Sequence, residues 1–232
     1  MAASERNKDC ILFFVKAPEQ TTVKSRLAEA VGEVTARELY RNFVLDMLDT
    51  LSTITARGKY DLWVCFYPPE AGQEIRAWLG SFYTCVPQQG SDLGERMQSA
   101  FLASFAAGYS RAILLGSDTP DLTSEIINEG LTRLTTHPAV IGPACDGGYY
   151  LLGFQSRAFL PAIFCGMPWS TGNVYSLTRE VFRRANFNVS VLLPWRDIDT
   201  IADLQTLRVS CRNSSFAHSR TMRYMLQGNE KV

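Results

Sequence analysis

CILFFVKAP, residues 10–18, is the stretch that decides the fold. Six apolar residues in a row would be apolar on both faces of an extended chain. Such a strand belongs in a sheet covered on both sides, and Lys16-Ala17-Pro18 then turns it into a loop at its carboxyl end. From Val23 to about Ile54 the period becomes helical, with Leu39, Phe43, Met47 and Leu51 recurring every four residues beside Tyr40, Val44 and Leu48. Gly32 predicts a break there into a short helix and a long one. The alternation then repeats: YDLWVCFYP (60–68) reads as strand, 71–80 as helix, FYTCVPQ (82–88) as strand, 92–109 as helix and RAILLGSD (111–118) as strand. Residues 123–136 read as helix, with Thr123 and Ser124 as candidate caps. Strand and helix in this order predict a mostly parallel sheet layered between helices, an α/β class.

After Pro138 the texture changes. AVIGPA and YYLLGFQ around the turn CDGG predict an antiparallel insertion or edge pair. A helix over 173–186, a last strand over 189–195 and a turn, RDID, entering another helix complete the pattern. No composition break divides residues 1–207, which are expected to form a single domain. Residues 208–232 are read as a basic tail: from Gln205 onward five basic residues face one acid, and a frayed terminus is expected.

Composition narrows the function classes. Hydrophobic residues make up 46% and charged residues 20%, both globular values, and 23 basic residues balance 23 acidic ones, which argues against a nucleic-acid binder. His137 and His218 are the only histidines, which removes most histidine catalysis and most zinc sites. Six cysteines, none closer than twenty residues to the next, form no metal knuckle or redox pair. Without an apolar leader or a run long enough to span a bilayer, a cytoplasmic protein is expected.

In a parallel sheet the loops at the carboxyl ends of strands share one crevice. Here those loops carry Lys16, Lys24 and Arg26, then Asp118 and Asp121, then Asp197, Asp199 and Asp203. Cations and carboxylates around one cleft suit a phosphorylated ligand with a divalent metal, and oxygen donors favour Mg2+ or Mn2+. Lys16, Lys24 and Arg26 read either as a phosphate clamp or as a solvated basic loop. Asp118 reads as a metal ligand and Asp121 as a helix cap, because both precede the helix at 123. Asp146 followed by Gly147 and Gly148 allows a close approach of backbone to ligand, or simply a tight hairpin. Tyr149, Trp169, Ser170 and Thr171 offer an aromatic face with hydroxyls that suits a sugar or small acceptor.

FVKAP and VKSRL, QQGSDLGERM, GSDTPDL, GPACDGGYYLLG, PWSTGNV and DIDTIADL occur in this order from about Ile11 to Leu207. In these motifs the chain resembles the glycosyltransferase-like, nucleotide-diphospho-sugar transferase family associated with radical-SAM and selenodomain proteins. It is more distantly similar to the phospholactate and molybdenum-cofactor guanylyltransferases. The resemblance implies a Rossmann-like three-layer α/β/α sandwich of GT-A type. It also implies Asp118 as metal-binding acid, Asp199 as a second ligand, and Gln88, Gly90 and Gly94 along a nucleobase pocket. From the residues alone, Asp92 is expected to cap the helix that comes after it. The chain departs from the family pattern at Thr21, where glycine is usual, and at Ser25, where threonine is usual. Glycine restored at Thr21 is expected to strengthen diphosphate binding, since it returns a φ > 0 option to the loop.

The expected activity is metal-dependent transfer from a nucleotide-activated sugar to a small-molecule acceptor, with Asp118, Lys24 and Arg26 as catalytic residues. The alternatives are a nucleotidyltransferase that releases pyrophosphate and a catalytically silent nucleotide-binding module. Neither a nucleic-acid partner nor a membrane span is expected.

Overall fold

Two strands, each buried along all but one terminal residue, anchor the sheet. In the computed structural model, which describes residues 9–56 and 58–227, β1 (Asp9–Lys16) pairs in parallel with β2 (Tyr60–Tyr67) on one side and with β4 (Arg111–Leu115) on the other. Alternation sorts their side chains: Ile11, Phe13, Val15, Ile113 and Leu115 face one core, while Cys10, Leu12, Phe14, Ala112 and Leu114 face a second. The seven strands run in the order β3-β2-β1-β4-β6-β5-β7, with β3 (Thr84–Pro87), β5 (Ala139–Pro143), β6 (Tyr149–Gln155) and β7 (Val189–Val191) completing the set.

Among the described strands only β6 runs antiparallel, pairing with both β4 and β5. The β5–β6 pair is therefore internal to the sheet rather than at its edge. Its burial explains why: both strands are buried on either face, at every residue but Tyr149, and need cover on two sides. The last strand is also shorter than expected: regular pairing ends at Val191, although the chain still runs beside β5, where the Leu192 N–H donates to the Ile141 carbonyl and Trp195 bridges Ala144.

The first core is closed by α2 (Glu33–Thr55), α3 (Gly72–Leu79) and α5 (Ser124–Arg133), and the second by α4 (Leu93–Ala106) and α6 (Val174–Arg184). The second is rich in aromatic rings. Phe101 meets Phe154 edge-on at 5.4 Å, and Phe154 meets Phe159 at 5.2 Å. Gly32 separates α1 (Ser25–Val31) from α2 as predicted. Asp92 caps α4 by accepting from the Glu95 N–H at 2.8 Å. Thr123 precedes α5 but makes no side-chain cap. The described residues include all six cysteines, and no disulfide joins any of them. Among the described residues no helix is long and apolar enough to cross a membrane.

The frayed tail is corrected by the structure. α7 (Ile201–Ser210) runs through the expected boundary at 207, and α8 (Arg220–Leu226) packs on α2 and α7 through Met222 and Met225. Periodicity there is masked by the basic residues, which lie on the solvent side. Asp46 of α2, itself buried, accepts from the Arg220 N–H at 2.8 Å and the Thr221 N–H at 2.9 Å, so a side chain from the centre of the fold satisfies the first turn of α8. Asp46→Ala should therefore cost about 1–2 kcal/mol in urea unfolding. Amide exchange should accelerate first over residues 220–227; unaltered exchange there would show that Asp46 does not hold the segment.

Candidate active site

The carboxyl ends of β1 and β4 are tied to one helix. Tyr40 of α2 reaches up through the core, and its hydroxyl accepts from the Lys16 N–H at 2.7 Å and lies 3.1 Å from Ser117 Oγ. Burial holds the Tyr40 phenol well above its ordinary pKa, so it stays a neutral hydrogen-bonding group. A second tie brings in the loop before α7: the Ile198 N–H donates to the Asp118 carbonyl at 2.9 Å, and Ile198 is buried. Asp199 comes immediately after. Thr200 and Asp203 then form a reciprocal capping box at the start of α7, so Asp203 serves the helix rather than the cleft.

These ties converge Asp118 and Asp199 on Lys24. The Lys24 ammonium contacts Asp118 Oδ1, lies 2.9 Å from Asp199 Oδ1, and sits 5.7 Å over the Phe43 ring. Its side chain is 3% exposed, against 49% for Asp118 and 27% for Asp199. Burial opposes the charge on Lys24, but the two carboxylates outweigh it and hold its pKa above the ordinary value. Arg26 donates to Asp199 Oδ2 at 2.6 Å. Burial likewise opposes ionisation of Asp199, yet Lys24 and Arg26 together keep its pKa below the usual range. Lys24 has φ 51° and ψ 46°, the left-handed conformation that a lysine adopts only where its surroundings enforce it.

Asp197 stands differently. Burial first, then the charges of Asp146 and Asp118, push its carboxyl up to about 8, and its Oδ2 is buried without a hydrogen-bond partner. Among the described residues no three His, Cys, Asp or Glu side chains form a ready-made metal cage.

Two cavities meet here. One, of about 330 Å³, is lined by Phe14, Val15, Tyr67, Leu93, Met97, Tyr149 and Trp169, with Gln88, Arg96 and Asp197 as polar members. Gln88 Nε2 donates to the Cys65 carbonyl at 2.8 Å, and the Arg96 guanidinium lies 4.5 Å over the Tyr67 ring. The other cavity, of about 540 Å³, is polar, and Thr22, Val23, Lys24, Ser25, Arg26, Tyr40 and Gly172 line only this one. Lys16, Ser117, Asp118, Asp146, Ser170, Thr171 and Asp199 form the shared wall.

Comparison with known proteins places the chain. Residues 50–171 match the family described as "Uncharacterized protein conserved in bacteria (DUF2064)". The chain is also 43% identical to a provisionally named nucleotide-diphospho-sugar transferase from Desulfovibrio desulfuricans G20, over 97% of each chain, with a TM-score of 0.91. The chain belongs to the DUF2064 family. It is 30% identical over 139 residues to the 3-phospho-D-glycerate guanylyltransferase of Phenylobacterium zucineum (strain HLK1), a match that covers 57% of this chain and 61% of that enzyme's length. A 4-diphosphocytidyl-2C-methyl-D-erythritol synthase from Anaerococcus prevotii DSM 20548 shares the fold at a TM-score of 0.58 and 12% identity, over 90% of this chain and all of that one. The nucleotide-diphospho-sugar transferase architecture expected from the motifs is thus the fold of this DUF2064 protein.

Within that fold most of the expected residues gather, with several changes of place. Lys16, Lys24, Arg26, Asp118, Asp146, Ser170, Thr171 and Asp199 reach the polar cavity or its shared wall. Trp169 and Tyr149 lie in the apolar cavity instead. The Trp169 indole is seated on Gly94, where an added Cβ would come within 2.6 Å of the ring, and the Tyr149 hydroxyl points at Met97 Sδ, 3.9 Å away. Gly90 lines neither cavity: at φ 139° it packs against the first turn of α4. Gly147, at φ 92°, is needed because a Cβ would strike the Gly172 carbonyl, whereas Gly148 lines the apolar cavity. Asp121 is not a cap; it accepts from Trp195 Nε1 at 3.1 Å and from the Cys211 thiol at 3.7 Å, which fixes the C-terminal segment. Tyr67 and Arg96 are site residues that sequence reasoning passes over. Tyr67 ends a strand at the active edge of the sheet, and Arg96 stands in the GERM segment, so position and motif could have found both.

Thr21 overturns an expectation. It is not among the positive-φ residues, and its N–H and hydroxyl both bond to the Ala17 carbonyl, at 3.1 and 3.2 Å. The left-handed position of this loop is Lys24. Thr21→Gly should leave phosphate affinity within about twofold while lowering stability by about 0.5–1 kcal/mol, through the added freedom of the unfolded chain. A gain in diphosphate affinity in titration calorimetry would contradict this.

Asp197 yields a pH prediction. Between the ordinary 3.8 and about 8 the folded chain holds a proton there that the unfolded chain has released. Folding therefore loses stability as pH rises through that window. Asp197→Asn removes the loss. Its melting temperature should exceed that of the parent near pH 7.5, and the gap should narrow toward pH 4; a constant gap would assign Asp197 an ordinary pKa.

Proposed function

We propose that this protein is a nucleotidyltransferase: a small anionic acceptor attacks the α-phosphorus of a nucleoside triphosphate, and pyrophosphate leaves. A bond from acceptor oxygen to phosphorus forms as the bond to the α–β bridging oxygen breaks, and the departing pyrophosphate takes the electron pair. The observation that carries this reading is the pairing of an apolar, aromatic cavity of about 330 Å³ with a larger polar one holding Lys24 and Arg26, Lys16 standing on the wall between them. A base and its sugar suit the first, and a polyphosphate tail with its acceptor suits the second.

The chain is an enzyme of the transferase class, in keeping with its relatives. The guanylyltransferase relative supports GTP as donor. Lys16 and Arg26, with Ser25, would hold the outer phosphates, and Gln88 and Arg96 would contact the base. Oxygen-only donors and the unpartnered buried Oδ2 of Asp197 fit Mg2+ or Mn2+. Asp118 and Asp199 would hold the ion, which would supply neutralising charge for the phosphate oxygens and the leaving group.

A second reading, transfer from a nucleotide sugar, is favoured by the name of the Desulfovibrio relative. Its residue-level support is an acceptor face made by Tyr149, Trp169, Ser170 and Thr171, of which the two rings line the apolar cavity and the two hydroxyl residues stand on the shared wall. The silent-module reading rests on Thr21, whose loop needs no glycine.

The deciding measurement supplies GTP, CTP and nucleotide sugars in turn, with Mg2+ and 3-phosphoglycerate or related phosphorylated acids. Pyrophosphate should appear from a triphosphate, and Arg26→Ala together with Lys16→Ala should lower kcat/KM at least tenfold. Release of a nucleoside diphosphate from a nucleotide sugar, with triphosphates intact, would establish the second reading instead.

A further inference from the structure

We propose that Lys24 is a latch: in the ligand-free enzyme its ammonium stands in for the divalent cation between Asp118 and Asp199, so the metal gains the two carboxylates only when a phosphate group draws Lys24 away. This rests on the reading of Asp118 and Asp199 as the metal-holding pair.

Both carboxylates that would hold an ion already contact the same nitrogen. That nitrogen is almost wholly buried, whereas the carboxylates are more exposed and form part of the shared wall of the two cavities. Lys24 therefore approaches from behind, out of the core, with Phe43 at its back. Arg26 occupies the remaining oxygen of Asp199. Two cations against two carboxylates leave this pair locally neutral, and an arriving divalent ion meets an ammonium rather than an attractive field.

Lys24 also lines the polar cavity, where phosphate oxygens would offer its ammonium a new partner. Its left-handed backbone sits in the loop that leads directly into α1, so the latch is on a connection rather than inside a helix. Because binding free energies are reciprocal, a metal that needs Lys24 displaced and a phosphate that displaces it must strengthen one another. The metal would then bind with the nucleotide and poorly without it.

The test uses the full chain without nucleotide, titrated with Mn2+ while the free ion is followed by electron paramagnetic resonance. Lys24→Met should bind Mn2+ at least tenfold more tightly than the parent, because two carboxylates lose their resident counter-ion. Lys24→Arg, which keeps the charge, should bind as weakly as the parent. Lys24→Gln can still donate to both acids and stands in if the methionine variant does not fold; it should bind tightly. The double variant Lys24→Met with Asp118→Asn should lose the gain. Equal Mn2+ affinity in the parent and in a folded neutral variant would overturn the latch. A gain that survives Asp118→Asn would overturn Asp118 as part of the metal pair. The identity of the leaving group in the transferase assay affects neither result, so failure of the nucleotidyl reading is told apart from failure of the latch.

Discussion

The pairing of β1 with β4 is the constraint on which the rest of the molecule depends. Each strand is apolar on both faces, so each must be covered on two sides, and the sheet has to grow outward from them in both directions. Growth to one side continues through β2 and β3, and growth to the other through β6, β5 and β7. Loops from the two halves part above the β1–β4 pair, and the opening between them is the cleft. Its chemistry comes from the residues just beyond each strand: Lys16 and the lysine–arginine loop at the end of β1, Ser117 and Asp118 at the end of β4.

Much of this could be read from the residues, because strong periodicity has few structural solutions. CILFFV reads as a strand covered on both faces, and the four-residue spacing from Leu39 to Leu51 reads as a helix face. The acids and cations of the cleft were visible for the same reason, standing directly after such strands. What stayed hidden depended on partners distant in sequence. Nothing local to Asp121 announces Trp195 and Cys211, and its place before a helix favoured the capping role. Trp169 on a loop looked like a platform for a ligand, because the seat that Gly94 provides lies 75 residues earlier. The tail looked frayed because its burial rests on two methionines and on the carboxylate of Asp46, each unremarked within its own segment.

The electrostatics of the cleft arise from balance rather than from excess charge. Lys24 and Arg26 hold the Asp199 carboxyl below the usual range against its burial, whereas burial, with Asp146 and Asp118 beside it, pushes Asp197 up to about 8. One loop thus carries two aspartates shifted in opposite directions, separated by a single buried isoleucine.

Tyr40 and Asp46 sit on the same helix, less than two turns apart, and one holds the strand ends beneath the cleft while the other holds α8. The helix between them is buried along one whole side, which makes it a stiff rod rather than a soft tether. Sequence drift in the C-terminal segment is therefore not free to follow surface fashion. Any replacement that shifts where α8 rests also shifts the beam on which the ends of β1 and β4 are hung, and selection on turnover would police residues that never approach a substrate.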